Sequence, residues 1–148
     1  MQPYRETLWP SPWVIIALAL VVPATMLVLA PVSLPAGVIG AVVLYGGCLA
    51  FAFGSAPRIE VSGTTLSVGK ASIPLAQVGE VVVYTGAEAT AQLRTKLDAR
   101  AWLMIRGWVH SLVKVEITDP ADPTPYWLLS SRRPQLLADA IAAARSTV

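Results

Sequence analysis

One long stretch without charge dictates how this chain is organised. From Thr7 to Pro57 the sequence contains no Lys, Arg, Asp, Glu or His. Within it, residues 13–30 and 36–53 are almost wholly apolar, and each approaches the roughly 20 residues that a helix needs to cross a bilayer core. Only the short link 31–35 (PVSLP) separates them. We therefore predict a membrane α-helical hairpin of two transmembrane helices over residues 13–54.

Residues 1–12 are predicted to form a short juxtamembrane leader. Trp9 and Trp13 suit the headgroup layer, where an aromatic ring has both apolar and wet neighbours. They are interpreted as an interfacial anchor, with a docking segment for a partner as the alternative. Arg5 precedes the first span, Arg58 follows the second and the link has no charge. The positive-inside tendency therefore places both termini in the cytoplasm and the chain in the plasma membrane as a multi-pass protein.

Two features of the spans concern helix packing. Pro23 near the middle of the first span predicts a kink, because proline frees a carbonyl of the preceding turn. Gly46, Ala50 and Gly54 recur every four residues on the second span, and small residues at this spacing allow close helix contact in membranes. The stripe could face the first helix, which we favour, or another protein.

After residue 54 the hydrophobic period changes to two, which is typical of half-buried strands. Residues 86–97 are predicted to form a short helix or a long ordered loop, and residues 134–146 an amphipathic helix with Leu137 and Ile141 on its buried face. The predicted strands are 58–62, 65–68, 71–74, 80–84, 101–106, 112–118 and 126–130. Residues 55–148 should therefore form a small, mainly β domain of about seven antiparallel strands, a sandwich or partly open barrel capped by the C-terminal helix.

The residues that could carry chemistry do not converge. His110 has no second His or Cys ligand outside the apolar stretch, so no metal site is predicted. Asp119 and Asp122 could form a carboxylate pair, but both lie in a proline-rich turn and are better explained structurally. No nucleophile motif or phosphate loop is present. We therefore predict no catalytic residue, no cofactor and no enzyme, and a net charge of +2 gives no reason to expect nucleic acid binding.

The segment 130–134 (SSRRP) is the best candidate for a binding site. If Pro134 opens the last helix, Arg133 occupies the cap position and the helix N-terminus keeps free N–H groups beside two guanidinium groups. That combination favours an anion such as a lipid headgroup phosphate, held by Ser131, Arg132 and Arg133. The alternative, which we favour, is that Ser131 caps the helix and the arginines pair with Asp119 or Asp122.

Trp102 and Trp108 are candidate contacts with a membrane or a partner. Trp102 is out of phase with Leu103 and Ile105, so it faces outward if those two face the core. Residues of this kind also cover the ends of small barrels, and both interpretations stay open.

Two levels of resemblance support this organisation. The strand order, with a proline opening the final helix, resembles the pleckstrin-homology-like barrels of bacterial membrane proteins, which is a fold-level analogy. The segments 4–6 (YRE), 8–13 (LWPSPW), 118–127 (TDPADPTPYW) and 130–134 (SSRRP) resemble a family of small actinobacterial membrane proteins known only as a domain of unknown function. That resemblance implies a plasma-membrane protein and brings no activity with it.

The sequence thus favours a non-catalytic, membrane-anchored accessory or scaffold protein that presents a cytosolic β-domain to a membrane-protein partner. The alternative is a lipid- or phosphate-headgroup-sensing module that uses Arg132 and Arg133, and an uncharacterised membrane enzyme ranks third. Membrane lipid and a membrane protein are the expected partners, and a homo-oligomer is compatible with the sequence.

Overall fold

The computed structural model describes residues 4–146. The chain divides into two compact units, each described here by itself. The first unit comprises the residues up to Leu8 together with those from Pro57 onward, and we call it the β-domain. The second unit comprises Trp9–Ala56, and we call it the apolar unit.

The apolar unit contains three helical segments, α1 (Pro12–Ala19), α2 (Val21–Leu29) and α3 (Leu34–Gly54). The interruption between α1 and α2 falls at Leu20, three residues before Pro23, because a proline ring clashes with the carbonyl four residues earlier and cannot donate to it. The Thr25 hydroxyl donates to the Val21 carbonyl in the same turn (2.7 Å). The sequence therefore predicted the disturbance correctly, but its position lies one turn earlier than the proline itself.

Two helical stretches of this unit are long and apolar enough to cross a membrane. Pro12–Leu29 spans 18 residues with a mean hydropathy of 2.4, and Leu34–Gly54 spans 21 residues with a mean hydropathy of 2.1. Most of their side chains are not buried within the unit: Leu27 is 79% exposed and Phe51 is 78% exposed. This confirms the two long apolar helices expected from the sequence.

The first sheet of the β-domain contains β1 (Tyr4–Thr7), β2 (Arg58–Ser62), β3 (Thr65–Val68) and β4 (Ala71–Pro74), all antiparallel and in that spatial order. Gly63 and Gly69 adopt positive φ values of 56° and 61° in the two tight turns, a conformation that glycine accepts without strain.

β1 was not predicted, and it corrects the interpretation of residues 1–12 as a leader. Thr7 pairs with Arg58, and the Leu8 N–H donates to the Pro57 carbonyl (3.0 Å). The apolar unit is therefore inserted between two neighbouring strands of one sheet.

The second sheet contains β5 (Val78–Tyr84), β6 (Trp102–Met104), β7 (Leu112–Ile117) and β8 (Tyr126–Ser130), in the order β5-β7-β8-β6. A short 3-10 turn, Leu75–Gln77, joins the two sheets. The helix α4 (Gly86–Arg94) precedes β6, which pairs with β8 in parallel rather than antiparallel as predicted. Because α4 carries the chain back across the sheet, β6 enters it in the same direction as β8.

One core cluster draws buried side chains from both sheets and from the C-terminal helix α5 (Pro134–Arg145). The buried face of α5 includes Leu137 and Ile141, as the sequence predicted. A second cluster lies on the other side of β8, where Leu128 packs with Ala89 of α4. Every residue of β8 is therefore buried, although an alternating strand would bury only half of them.

Candidate functional site

The most unusual group of polar residues lies where β1 meets the loop between β8 and α5. We call it the Glu6 cluster: Tyr4, Glu6, Ser131, Arg132 and Arg133. Tyr4, Glu6 and Leu8 alternate with Arg5 and Thr7 along β1, so their side chains point to the inner face. Glu6 is only 5% exposed, and Leu8 is fully buried two residues further on.

The Glu6 carboxylate accepts three hydrogen bonds. Oε2 accepts from the Tyr4 hydroxyl (2.8 Å) and from the Ser131 hydroxyl (2.6 Å), and Oε1 accepts from the Arg132 backbone N–H (2.8 Å). A buried carboxylate is tolerated only when donors of this kind satisfy its oxygens. These bonds therefore fasten the N-terminal strand to a loop 125 residues away along the chain.

The guanidinium of Arg133 closes the cluster on its outer side. Its Nη2 donates to the Arg5 carbonyl (3.1 Å), and its central carbon lies 5.5 Å from the centre of the Tyr4 ring. Arg133 also occupies the cap position of α5 with Pro134 in the first turn, as the sequence predicted, and its own N–H donates to the Ser131 hydroxyl oxygen (3.1 Å).

Burial and the neighbouring carboxylate both act on Tyr4. Desolvation, followed by the hydrogen bond to Glu6, raises the pKa of the Tyr4 hydroxyl to about 12. Both causes oppose a second negative charge beside Glu6. The hydroxyl therefore stays a donor to the carboxylate at any physiological pH.

The cluster changes how the predicted anion site is understood. Its three predicted residues, Ser131, Arg132 and Arg133, do lie together, but an internal anion, Glu6, already accepts the Ser131 hydroxyl and the Arg132 N–H. The sequence analysis missed Glu6, although its two-residue spacing from Leu8 was a signal of a shared face. The binding of an external anion at Ser131, Arg132 and Arg133 remains a prediction.

The two aspartates of the proline-rich loop serve the turns that contain them. Asp119 Oδ1 accepts from the Ala121 N–H (2.9 Å), and Asp122 Oδ1 accepts from the Thr124 N–H (2.8 Å). Hydrogen bonding from Thr124, by its side chain first and then its backbone, lowers the pKa of Asp122. Among the ion pairs found in residues 4–146, Arg133 forms none with either aspartate.

His110 lies at an exposed position beside a groove of about 330 Å³. The groove lies between α4 and the segment 105–112, and Leu93 and Ile105 contribute to its walls. Within the described part of the chain, no group of three or more His, Cys, Asp or Glu side chains could hold a metal ion.

The candidate tryptophans differ in their surroundings. Trp9 and Trp13 are exposed, and the Trp9 ring lies 5.7 Å from that of Phe53 within the apolar unit. Trp102 stacks against Trp127 with ring centres 4.7 Å apart and packs on the core.

Because Leu103 is 43% exposed, the condition under which Trp102 would face outward is not met. Trp108 is partly buried against the core, and its indole Nε1 has no hydrogen-bond partner among residues 4–146.

The close helix contact in the apolar unit uses different small residues from those predicted. A Cβ added at Gly40 would lie 2.8 Å from Leu29 Cδ1, and one added at Gly37 would lie 3.2 Å from Met26 Sδ. Gly46 and Gly54 have nothing within 4 Å of such a Cβ. Together with Ala50, they form an exposed stripe on α3, so the preferred assignment of this stripe to the first helix is wrong.

The fold defines the structural class of this protein. It is a β-domain of two sheets with a C-terminal helix packed on their core, and an apolar helical hairpin is inserted after the first strand. The chain belongs to the family described as Protein of unknown function (DUF3093), whose profile matches residues 3–141. The predicted membership of an unknown-function family is thereby confirmed. Comparison with curated proteins and with solved structures found no significant match.

Proposed function

We propose that this protein is a non-catalytic accessory or scaffold protein of the cytoplasmic membrane, in which the hairpin is the anchor and the β-domain presents a surface to a membrane-protein partner. The observation that carries the proposal is the insertion of the apolar unit between β1 and β2. Thr7 and Arg58 are paired neighbours, so the chain leaves and re-enters the β-domain at one point. A domain attached by two adjacent connections is held more firmly at a membrane surface than one attached by a single linker.

The surface of the apolar unit supports membrane insertion. Large apolar side chains such as Leu27 and Phe51 are almost fully exposed on its helices. Soluble monomeric proteins rarely expose contiguous apolar surface on this scale, whereas a lipid-facing helix requires it. Trp9 and Trp13 then serve as headgroup anchors at the start of the first span.

The orientation follows from charge and topology together. Since Thr7 and Arg58 are paired, both ends of the hairpin emerge on the same side of the membrane. Arg5 and Arg58 flank these ends, while residues 31–35 carry no charge, so the β-domain and both termini belong on the cytoplasmic side. The resemblance noted above supports the plasma membrane of an actinobacterium as the location.

The exposed stripe of Gly46, Ala50 and Gly54 supports a partner within the membrane. A helix of another membrane protein can approach α3 closely along such a stripe, because no side chain of residues 4–146 lies within 4 Å of a Cβ placed on Gly46 or Gly54. The first span uses Gly37 and Gly40 instead.

Membrane insertion and orientation can be tested together in the full-length chain. On a Cys48→Ser background, Ser33→Cys in the link and Ser72→Cys in the β-domain are treated with a membrane-impermeant maleimide. We expect labelling at position 33 in intact cells, and at position 72 only after the membrane is opened. Release of the protein by carbonate washing, or the opposite labelling pattern, refutes the proposal.

The partner is tested by purification from native membranes in mild detergent. We expect a stoichiometric membrane protein to accompany the native chain and the control variant Val38→Leu, which lies on another face of α3, and to be lost with Ala50→Leu. Purification without any other protein contradicts the scaffold role, and anionic lipid retained in its place favours the alternative.

That alternative is a lipid- or phosphate-headgroup sensor at Arg132 and Arg133. It ranks second because an incoming phosphate would have to compete with the Glu6 carboxylate for the Ser131 hydroxyl and the Arg132 N–H. Replacing both arginines with alanine and measuring binding to anionic vesicles tests it, and unchanged binding excludes it.

A further inference from the structure

The outer edge of β5 is the most open sheet edge in this protein. β5 lies at one end of the second sheet and pairs only with β7, so one row of its backbone N–H and C=O groups has no strand beside it. Such a row is a template for another strand. β5 is also seven residues long, which makes it the longest of the strands at the sheet ends.

The other sheet edges are short or obstructed. β1 has four residues, and the Arg133 guanidinium occupies its Arg5 carbonyl. β4 has four residues and ends in Pro74, which has no N–H to offer. β6 has only three residues.

β5 itself is obstructed only at its start. Its pairing with β7 is irregular between Val78 and Val81, where Arg145 Nη1 donates to the Gly79 carbonyl (2.6 Å) and the Glu80 N–H donates to Glu116 (3.0 Å). From Val81 to Tyr84 the pairing with β7 is regular. No other backbone–backbone hydrogen bond involves these four residues in the part of the chain that the structure describes.

The side chains along this edge alternate cleanly. Val81 and Val83 pack against the main core, whereas Glu80, Val82 and Tyr84 line an open groove of about 250 Å³ on the other face. Three consecutive β-branched residues favour an extended strand. The edge is therefore preorganised to accept a partner strand.

We propose that β5 pairs with β5 of a second copy of this chain, antiparallel about a two-fold axis at Val82. In this register Val82 lies opposite Val82, Val81 opposite Val83, and Glu80 opposite Tyr84. Two valine pairings lie on the core side, and the carboxylate lies beside a phenol that can donate to it. No like charges are opposed, as a self-complementary interface requires.

The sequence of β5 favours a pairing axis at Val82 over neighbouring axes, and it favours a second copy of the chain over another partner. Moving the axis to residue 80 would place two Glu80 carboxylates opposite one another, which is unfavourable. Moving it to Val83 would place Glu80 opposite Gly86, the first residue of α4, so the carboxylate would lose its pairing with the Tyr84 phenol. An unrelated extended segment would gain the same backbone hydrogen bonds, but it would not repeat the Glu-Val-Val-Val-Tyr pattern that complements itself.

Disulfide crosslinking of the full-length protein in detergent tests the pairing. Directly opposite residues have Cβ atoms about 4.5–5.5 Å apart, which is close enough for a disulfide after a small adjustment. We expect Val82→Cys on the Cys48→Ser background to form a dimer of twice the 15.7 kDa chain mass upon mild oxidation. The matched control is Leu103→Cys on β6, at the opposite end of the same sheet and already exposed.

Crosslinking of Val82→Cys at least tenfold above that of Leu103→Cys supports the proposal. Equal crosslinking of the two variants, or an adduct of Val82→Cys whose mass is not twice that of the chain, overturns it. As a second measurement, Val82→Lys should shift the native protein from dimer to monomer in light scattering while its circular dichroism stays native. A Val82→Lys protein that remains native and dimeric also refutes the β5 interface.

Discussion

The Glu6 side chain accepts hydrogen bonds that connect β1 with the loop before α5. Its carboxylate is buried and accepts from the Tyr4 hydroxyl, the Ser131 hydroxyl and the Arg132 N–H. Hydrogen bonds to a charged acceptor in a site with little water are worth more than neutral ones at a surface. The stability of the N-terminal strand therefore depends strongly on this one side chain.

We predict that Glu6→Gln lowers the free energy of unfolding by about 1.5–3 kcal/mol, because the amide keeps the size but loses the charge that strengthens these bonds. The measurement is thermal or denaturant unfolding of the detergent-solubilised protein. The matched control is Glu60→Gln on β2, whose partner Arg5 lies at the surface. An exposed ion pair contributes at most about 1 kcal/mol. Equal losses in the two variants would show that Glu6 makes no special contribution.

Tyr4 should make stability dependent on alkaline pH. Its pKa in the folded chain is raised from 10.0 to about 12, so the folded state retains the proton more strongly than the unfolded state. The resulting stabilisation is complete below pH 10 and is lost as the pH rises from 10 to about 12. We expect Tyr4→Phe to show a shallower fall in unfolding free energy across this window, and parallel pH profiles for the two proteins would contradict the assignment.

Sequence pattern predicts some helices and strands of this protein better than others. The alternation of β7 and the buried face of α5 follow directly from the spacing of apolar residues, because each packs one face on the core. β8 does not alternate, since α4 covers its second face and Leu128 is as deeply buried as Leu129. The phase of β6 could be stated only conditionally, because a strand of three residues contains too little periodicity to reveal which face is covered.

The contact between α2 and α3 leads to a prediction about helix packing. Gly40→Leu should destabilise the hairpin by about 1–3 kcal/mol, because a leucine side chain needs the space held by Leu29 and by the buried Thr25, whose methyl group lies 3.3 Å from the added Cβ. Gly46→Leu is the matched control, with open space at its Cβ position. Thermal unfolding in mild detergent provides the comparison, and an equal or greater effect of Gly46→Leu would place the contact elsewhere.

At the scale of the whole molecule, the β-domain is discontinuous in sequence. β1 precedes the apolar unit, β2 follows it, and Leu8 is fully buried in the core that both strands help to form. The family profile covers both parts, from residue 3 to residue 141. The apolar unit therefore interrupts the β-domain in sequence, and the two segments that flank it, β1 and β2, are neighbouring strands of one sheet.

We predict that joining residue 8 to residue 57 through a short Gly-Ser linker produces a water-soluble domain that unfolds cooperatively. Residues 57–148 alone should be poorly folded, because they lack Glu6 and Leu8. Deleting a buried leucine side chain typically costs about 2–5 kcal/mol, and small domains have only about 5–15 kcal/mol in total. Near-ultraviolet circular dichroism and urea unfolding of both shortened proteins measure this, and identical unfolding midpoints would contradict a structural role for β1.

The features of this protein that depend on local sequence pattern could be predicted before the structure was known. The two apolar helices, most strand positions and the cap position of Arg133 follow from hydropathy, two-residue alternation and proline placement, each read within a few neighbouring residues. Tertiary structure alone decided the pairing of β1 with β2, the parallel entry of β6, the use of Gly40 in the helix contact and the burial of Glu6. These features depend on which distant segments come together in space, and the local periodicity of a segment does not specify its distant neighbours.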